Sequence, residues 1–323
     1  MFMDKIIFDQ TAGADLTLYL HEEKPEFARV EKRPFVLVIP GGGYNFCSER
    51  EGEPIALHFA AAGYHAGVLR YHVGEHRDFQ KALEDGKQAL AKIRESASEW
   101  AIDTDKIAVI GFSAGGHLAA AMSNLLEEKP SLCILGYPAI LKSFSQVMQI
   151  DAPSLETCVS PATPPTFLFS TFEDNVVPIE NSLLYLRALE ENDVPFETMI
   201  FQKGKHGLSL ATKYYGAKEE MIDPRFARWF KSCVEWMEIN WEETDQANEH
   251  LPIPNKPIKE FWQNQKSREL ILTYFSNWED KSRYKLIKNL SFAELAQLFP
   301  ARFQEKELQQ LYKELEVIIG EKA

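Results

Sequence analysis

The stretch VIGFSAGGHLAAA, Val109 to Ala121, decides how the chain is read. An aliphatic run gives way to glycines and then directly to a helix-forming run, with one serine at the junction. Gly111-Phe112-Ser113-Ala114-Gly115 fits the pattern G-x-S-x-G. In that pattern small flanking residues permit a tight, strained turn from strand to helix that lifts the serine hydroxyl into the open. The following helix aims its first N–H groups at the same spot, where negative charge develops when a hydroxyl attacks an ester. A β-like run, Lys106 to Ile110, stands before the pentapeptide and a helical run, Gly116 to Leu126, after it, so the context matches the motif.

A serine hydroxyl is a weak nucleophile near neutrality and needs a base, itself held by a carboxylate. In a fold of this kind the expected order along the chain is serine, acid, histidine. Downstream, the run PTFLFST is followed by FEDNVVP, which puts Glu173 and Asp174 at a strand's carboxyl end, where site-forming loops of open α/β sheets gather. Asp174 is preferred because the shorter carboxylate sits against the NVVP turn, whereas Glu173 can reach solvent. After the run FETMIF comes QKGKHGLSL, so His206 follows the acid on a glycine-flanked loop. His117, one helical turn past Ser113, reads as a packing histidine. His72 and His76, spaced H-x-x-x-H, have no helix to align them and no third ligand in view, so no metal is expected. The run PGGGYNF, Pro40 to Phe46, supplies backbone donors for an oxyanion, with Gly42, Gly43 and Ala114 as the favoured N–H groups. No G-K-[ST] follows those glycines, which weakens a phosphate-loop reading.

Composition bounds the alternatives. Of the 323 residues, 45% are hydrophobic and 26% charged, a balance that supports a folded core. The formal net charge of -13 argues against nucleic acid and anionic membranes as partners and leaves neutral or small ones, in keeping with the small-molecule ester that the serine motif suggests. Four cysteines, Cys47, Cys133, Cys158 and Cys233, lie far apart with no C-x-x-C spacing, so reduced thiols are expected. The N-terminal stretch carries charges where a secretory signal needs its apolar centre, and no apolar run approaches about 20 residues, so a cytoplasmic protein is expected.

Short β-rich runs (PFVLVIP, HAGVLRY, KIAVIGF, LCILGY, PTFLFST, FETMIF) alternate with longer amphipathic ones. That alternation predicts an α/β fold: a mostly parallel central sheet flanked by helices. The early run Leu16 to Leu20 predicts an antiparallel strand at its margin. Apolar residues at helical spacing predict a helix from Phe79 to Ile93, with Asp78 as its cap. Residues 1–240 form the expected catalytic domain. Residues 241–257, acidic and then proline-rich, read as a linker. Residues 258–323 carry only helical patterns, with a Ser291-x-x-Glu294 capping box and a stripe of Leu308, Leu311, Leu315 and Ile318, and form a small helical module that could support a homo-oligomer.

Four blocks (PGGGY, WAIDTDKIAVIGFSAGGHLAA, STFEDNVVPIENSLLYLRALEENDVPFE and KGKHGLSL) resemble the α/β-hydrolase superfamily over about residues 15–240. The likeness is to its esterase/lipase branch of acetyl esterases and acetyl-xylan esterase-like carboxylesterases. It implies Ser113 as nucleophile, Asp174 as acid, His206 as base, the oxyanion glycines within Gly41 to Gly43, and no cofactor. The chain departs from many relatives in having Pro40 where they have histidine, and Tyr71-His72 where they have tyrosine and arginine. Tyr44, Phe46, His72 and Tyr137 are the expected rim of the substrate pocket. The segment 139–163 is too short for a lid domain, so an open pocket suited to short acyl groups, roofed in part by N-terminal residues, is expected. The implied activity is hydrolysis of short-chain, above all acetyl, esters, including those of small glycosides. A prolyl-oligopeptidase-like peptidase and a non-catalytic binding or scaffold protein are the alternatives.

Overall fold

The computed structural model describes residues 1–22, 24, 26, 30–216, 218–246 and 251–320. The chain divides into two compact units, Met1–Glu243 and Thr244–Ala323.

The first unit is built on eight strands: β1 (Phe2–Asp9), β2 (Ala14–Leu20), β3 (Arg33–Ile39), β4 (His65–Arg70), β5 (Ile102–Phe112), β6 (Leu132–Gly136), β7 (Thr166–Thr171) and β8 (Phe196–Phe201). They form one sheet in the order β1-β2-β4-β3-β5-β6-β7-β8. All neighbours from β4 to β8 run parallel, while β1 pairs with β2 and β2 with β4 antiparallel. The antiparallel margin expected at Leu16–Leu20 is present. Its partner toward the sheet centre is β4 rather than β3, the next strand in sequence, and the residues before it add a further strand as the sheet edge.

Among the described residues, six α-helices accompany the sheet: α1 (Glu53–Ala61), α2 (Phe79–Glu95), α3 (Ala114–Leu125), α4 (Lys142–Val147), α5 (Glu180–Glu191) and α6 (Trp229–Gln246). The near-continuous apolar character of β3 follows from its two covered faces. Phe35, Leu37 and Ile39 point into the core shared with α2, α3 and α5, whereas Val36 and Val38 point into the core shared with α1 and α6. The period of two along a strand thus divides one apolar run between two cores. Helix α2 begins as expected, with Asp78 accepting from the Lys81 N–H at 2.9 Å, which satisfies one of the unpaired donors of the first turn.

The expected linker at 241–257 is narrower than its composition suggests. Helix α6 continues to Gln246, and the buried Trp241 donates its indole N–H to Ser131 Oγ at 3.1 Å. Trp229, Cys233, Trp236, Met237 and Trp241 fall on one helical face and fill the second core, and that stripe outweighs the acidic residues interleaved with it. At the other end, the buried Ile253 already belongs to the C-terminal core. Residues 247–250 of this stretch lie outside the described residues.

The second unit contains α7 (Ile258–Trp262), α8 (Gln265–Tyr274), α9 (Lys281–Ile287), α10 (Phe292–Leu298) and α11 (Glu305–Gly320). The capping box is formed: Ser291 Oγ accepts from the Glu294 N–H at 3.2 Å and Glu294 Oε2 accepts from the Ser291 N–H at 2.7 Å. Leu308, Leu311 and Leu315 join Ile258, Phe261, Phe275, Trp278 and Phe292 in a core of its own. Among the described residues no helix is long and apolar enough to cross a membrane.

Candidate active site

Ser113 sits at the junction of β5 and α3 with φ 52° and ψ −115°. A non-glycine residue in this left-handed region is strained and persists only where its surroundings enforce it. Here the peptide on either side is fixed: the Ser113 N–H donates to the Gly136 carbonyl at 3.0 Å, and its carbonyl accepts from the N–H groups of His117 (3.0 Å) and Ala139 (3.1 Å). The serine is 8% exposed, open at its hydroxyl end to a cavity of about 510 Å³.

Asp174 follows β7 and His206 follows β8. Asp174 Oδ1 accepts from the N–H groups of Val176 and Val177, both at 2.8 Å, which leaves Oδ2 facing His206 Nδ1 at 2.7 Å. His206 Nε2 lies 2.8 Å from Ser113 Oγ. A carboxylate only accepts, so the imidazole proton belongs on Nδ1 and the bare Nε2 receives the serine O–H. The loop of His206 is held in turn by its own N–H donating to Asn175 Oδ1 at 3.2 Å and by Arg50 Nη1 donating to the Gly207 carbonyl at 2.7 Å. The three side chains named from the sequence, 93 residues apart at the widest, therefore stand within hydrogen-bond reach of one another. Glu173 is exposed.

Gly42 and Gly43 line the same cavity. Gly42 has φ 126°, and a Cβ there would fall 2.0 Å from the Phe46 carbonyl oxygen, so the loop closes only with glycine. Its own carbonyl accepts from Asn45 (3.0 Å) and Phe46 (3.4 Å), which folds the loop over the serine. Ala114 is the first residue of α3, where an N–H has no intrahelical carbonyl to meet. The Gly41 N–H is already committed to Glu51 Oε2 at 3.0 Å.

The expected rim needs correction at three of its four positions. Phe46 is 60% exposed and lines the cavity. Tyr44 is fully buried: φ of 59° turns its ring into the core, with its hydroxyl 3.1 Å from His117 Nδ1. Burial pushes the Tyr44 phenol up and the His117 imidazole down to about 4, so this His117 pair is neutral at pH 7 and packs. Tyr137, with φ 36°, is buried behind His206 with ring centroids 5.0 Å apart, and its hydroxyl donates to Glu51 Oε1 at 2.6 Å. Burial and then the Glu51 charge hold the Tyr137 phenol well above the usual tyrosine range. His72 is buried elsewhere, its Nδ1 2.7 Å from Asp85 Oδ2 and its Nε2 3.4 Å from Asp9 Oδ2, where it ties the β1–β2 edge to α2. Among the described residues, none of the N-terminal ones lines the cavity; β1 completes the sheet edge. Helix α4 and the residue after it contribute Phe144, Val147 and Met148 to the lining.

Sequence reading missed Arg50 and Glu51, which lie in the run SEREGEP and look there like a solvated charge cluster. It also missed the polar side of the cavity, where Lys205 and Glu220 pair at 3.0 Å beside Lys218 and Asn175. Among the described residues no group of three or more histidine, cysteine or acidic side chains could hold a metal ion.

A mostly parallel sheet with a strained serine elbow after its central strand, and with acid and histidine on later strand ends, defines a class, and the chain belongs to the α/β-hydrolase family. The comparisons agree on that class. Residues 24–135 match the BD-FAE family and residues 141–235 the prolyl oligopeptidase family. MGS-M1, an alpha/beta hydrolase enzyme from a Medee basin deep-sea metagenome library, is 39% identical, with 75% of this chain and 98% of that one covered and a TM-score of 0.70. The acetyl ester-xyloside bifunctional hydrolase of Caldicellulosiruptor lactoaceticus is 30% identical, with 74% and 96% covered and a TM-score of 0.63. The endo-1,4-beta-xylanase B of Butyrivibrio fibrisolvens is 35% identical over 230 residues, 61% of this chain, and the chain spans only 35% of that relative's length.

Proposed function

We propose that the chain is a serine carboxylesterase that removes short acyl groups, acetyl above all, from small hydroxylated alcohols such as glycosides. The observation that carries this reading is the continuous run of contacts from Asp174 through His206 to Ser113 Oγ, at 2.7 and 2.8 Å, on a strained elbow that opens to a cavity. His206 takes the Ser113 proton as the oxygen attacks the acyl carbonyl. Backbone N–H groups of Gly42, Gly43 and Ala114 receive the charge on the carbonyl oxygen, in a position fixed before the reaction begins. The alcohol leaves with the proton from His206, which then draws a proton from water so that the acyl-enzyme is hydrolysed. Asp174 holds the tautomer that makes both transfers possible.

The structure of the cavity supports short acyl groups. The short helix α4 lines it with Phe144 and Val147, and Val147 at the end of that helix is 68% exposed. A longer chain gains about 0.8 kcal/mol for each methylene it buries, and an open cavity realises little of that. The polar margin of Asn175, Lys205, Lys218 and Glu220 is suited to an alcohol with several hydroxyl groups. The Caldicellulosiruptor relative, named for acetyl ester and xyloside hydrolysis, supports the same substrate class. All four cysteines are free thiols, which supports the cytoplasm as the compartment.

The test is a series of p-nitrophenyl esters, set beside acetylated xylosides and aminoacyl or prolyl anilides. The expected kcat/KM for octanoyl does not exceed that for acetyl, because the added methylenes gain little burial in an open cavity. Preference for octanoyl removes the short-acyl reading, and turnover of the anilides above the esters favours the peptidase alternative.

A further inference from the structure

The turn that sequence reading passed over, a 3₁₀ turn at Glu49–Glu51, touches two parts of the proposed site, the His206 loop and the glycine loop. On one side Arg50 donates to the Gly207 carbonyl at 2.7 Å, and its own carbonyl accepts from Ser209 Oγ at 2.7 Å. Both contacts fall within three residues of His206. On the other side Glu51, 3% exposed, accepts the Gly41 N–H on Oε2 at 3.0 Å, one residue before Gly42. Its second oxygen accepts the Tyr137 O–H at 2.6 Å, and that hydroxyl accepts the Ser209 N–H at 3.0 Å. The Tyr137 ring stands at 70° to the His206 ring.

We propose that Glu51 is a positioning residue: its two carboxylate oxygens join the oxyanion loop at Gly41 to the back of His206 through Tyr137, and so fix the donors and the base relative to each other. The inference rests on Ser113 being the nucleophile. Its chemistry is specific to a carboxylate. Two donors, an amide N–H and a phenol O–H, point at two oxygens, and a side-chain amide would present N–H groups to one of them. The fit is also close: a Cβ on Gly41 would lie 2.7 Å from Glu51 Oε2, so the loop rests directly on the acid. A buried carboxylate is costly unless its oxygens are hydrogen-bonded, and here each one is. A merely space-filling position has no need of it. Oxyanion donors act only when held near 2.7–3.1 Å from the developing charge, and a displacement of about 1 Å costs about a hundredfold in rate.

The experiment measures kcat and KM on p-nitrophenyl acetate, melting temperature, and the inhibition constant of a boronic acid that forms a tetrahedral adduct with serine. The proteins are wild type, Ser113→Ala, Glu51→Gln, Tyr137→Phe and the Glu51→Gln/Tyr137→Phe double variant. Glu51→Gln is expected to lower kcat about 10- to 100-fold with KM changed less than about threefold, and to weaken the boronic acid in parallel with kcat/KM. Tyr137→Phe, which removes only an oxygen, is expected to lose about tenfold, and the double variant to be within about threefold of Glu51→Gln, because both break one connection. Near-wild-type kcat in either single variant while Ser113→Ala is inactive overturns the positioning role and leaves the nucleophile standing. An active Ser113→Ala overturns the reading beneath it. Should Glu51→Gln fail to fold, Tyr137→Phe decides alone. A loss of activity that follows only the folded fraction, with the boronic acid constant unchanged, also overturns the proposal.

Discussion

Ser113→Ala lowers the turnover of short acyl esters by about 10⁴-fold or more, with stability changed by no more than about 1 kcal/mol. Both halves of that expectation come from the elbow. In the proposed mechanism the Ser113 hydroxyl oxygen bonds to the acyl carbon, so its removal would leave His206 with no proton to take and Asp174 with nothing to orient. What survives is the cavity and the backbone donors, which alone give only a small residue of catalysis. Folding, in contrast, loses one hydrogen bond, the 2.8 Å contact with His206 Nε2. The backbone strain at φ 52° is the same for alanine as for serine. The check is kcat/KM on p-nitrophenyl acetate together with a denaturation midpoint. Activity within about tenfold of wild type contradicts the assignment of Ser113.

Gly115→Ala is the second large effect, and it acts on the fold. Residue 115 lies in the first turn of α3, where the helix comes against the end of β3 backbone to backbone. A Cβ on Gly115 would stand 2.1 Å from the Ile39 carbonyl oxygen and 2.4 Å from that of Pro40. Neither is a flexible side-chain end that could swing aside. The helix must therefore withdraw from the sheet, and the contact of Gly111 with the Gly115 carbonyl, where an added Cβ would lie 2.1 Å away, is disturbed with it. The expected destabilisation is at least about 3 kcal/mol. Activity falls further than the folded fraction, because Ile39 and Pro40 lead directly into the Gly41–Gly43 loop. Urea unfolding gives the number; a change under about 0.5 kcal/mol would show that the close approach is not real.

The central strands were legible because runs such as Val36–Ile39 and Ile107–Ile110 carry apolar residues on both faces with no polar interruption, whereas the largely exposed β1, FMDKIIFD, carries no such run. The loops bearing Asp174 and His206 were legible because topology puts the residues after parallel strands at one edge of the sheet. What sequence could not give is the direction of a side chain at a turn. Tyr44 and Tyr137 follow strands at the site edge, as a rim residue would, yet φ of 59° and 36° turns their rings inward. His72 has a partner, Asp85, thirteen residues on, and no local pattern marks that pairing. Glu51 is the counterpart case. In SEREGEP it differs in no way from its exposed neighbour Glu49, and only the folded chain brings Gly41 and Tyr137 to its two oxygens. The end of α6 was obscured for a related reason: acidic residues suggest a linker, while the tryptophan stripe that makes it a helix is spread over more than three turns.

Labelling with a fluorophosphonate followed by peptide mapping tests the central claim most directly, because the reagent needs the activated hydroxyl and the oxyanion donors at once. The expected result is a single phosphonyl group on Ser113, loss of esterase activity in step with labelling, and no labelling of His206→Ala on the same timescale. Modification of a different residue, or full esterase activity in protein whose Ser113 is quantitatively phosphonylated, contradicts it.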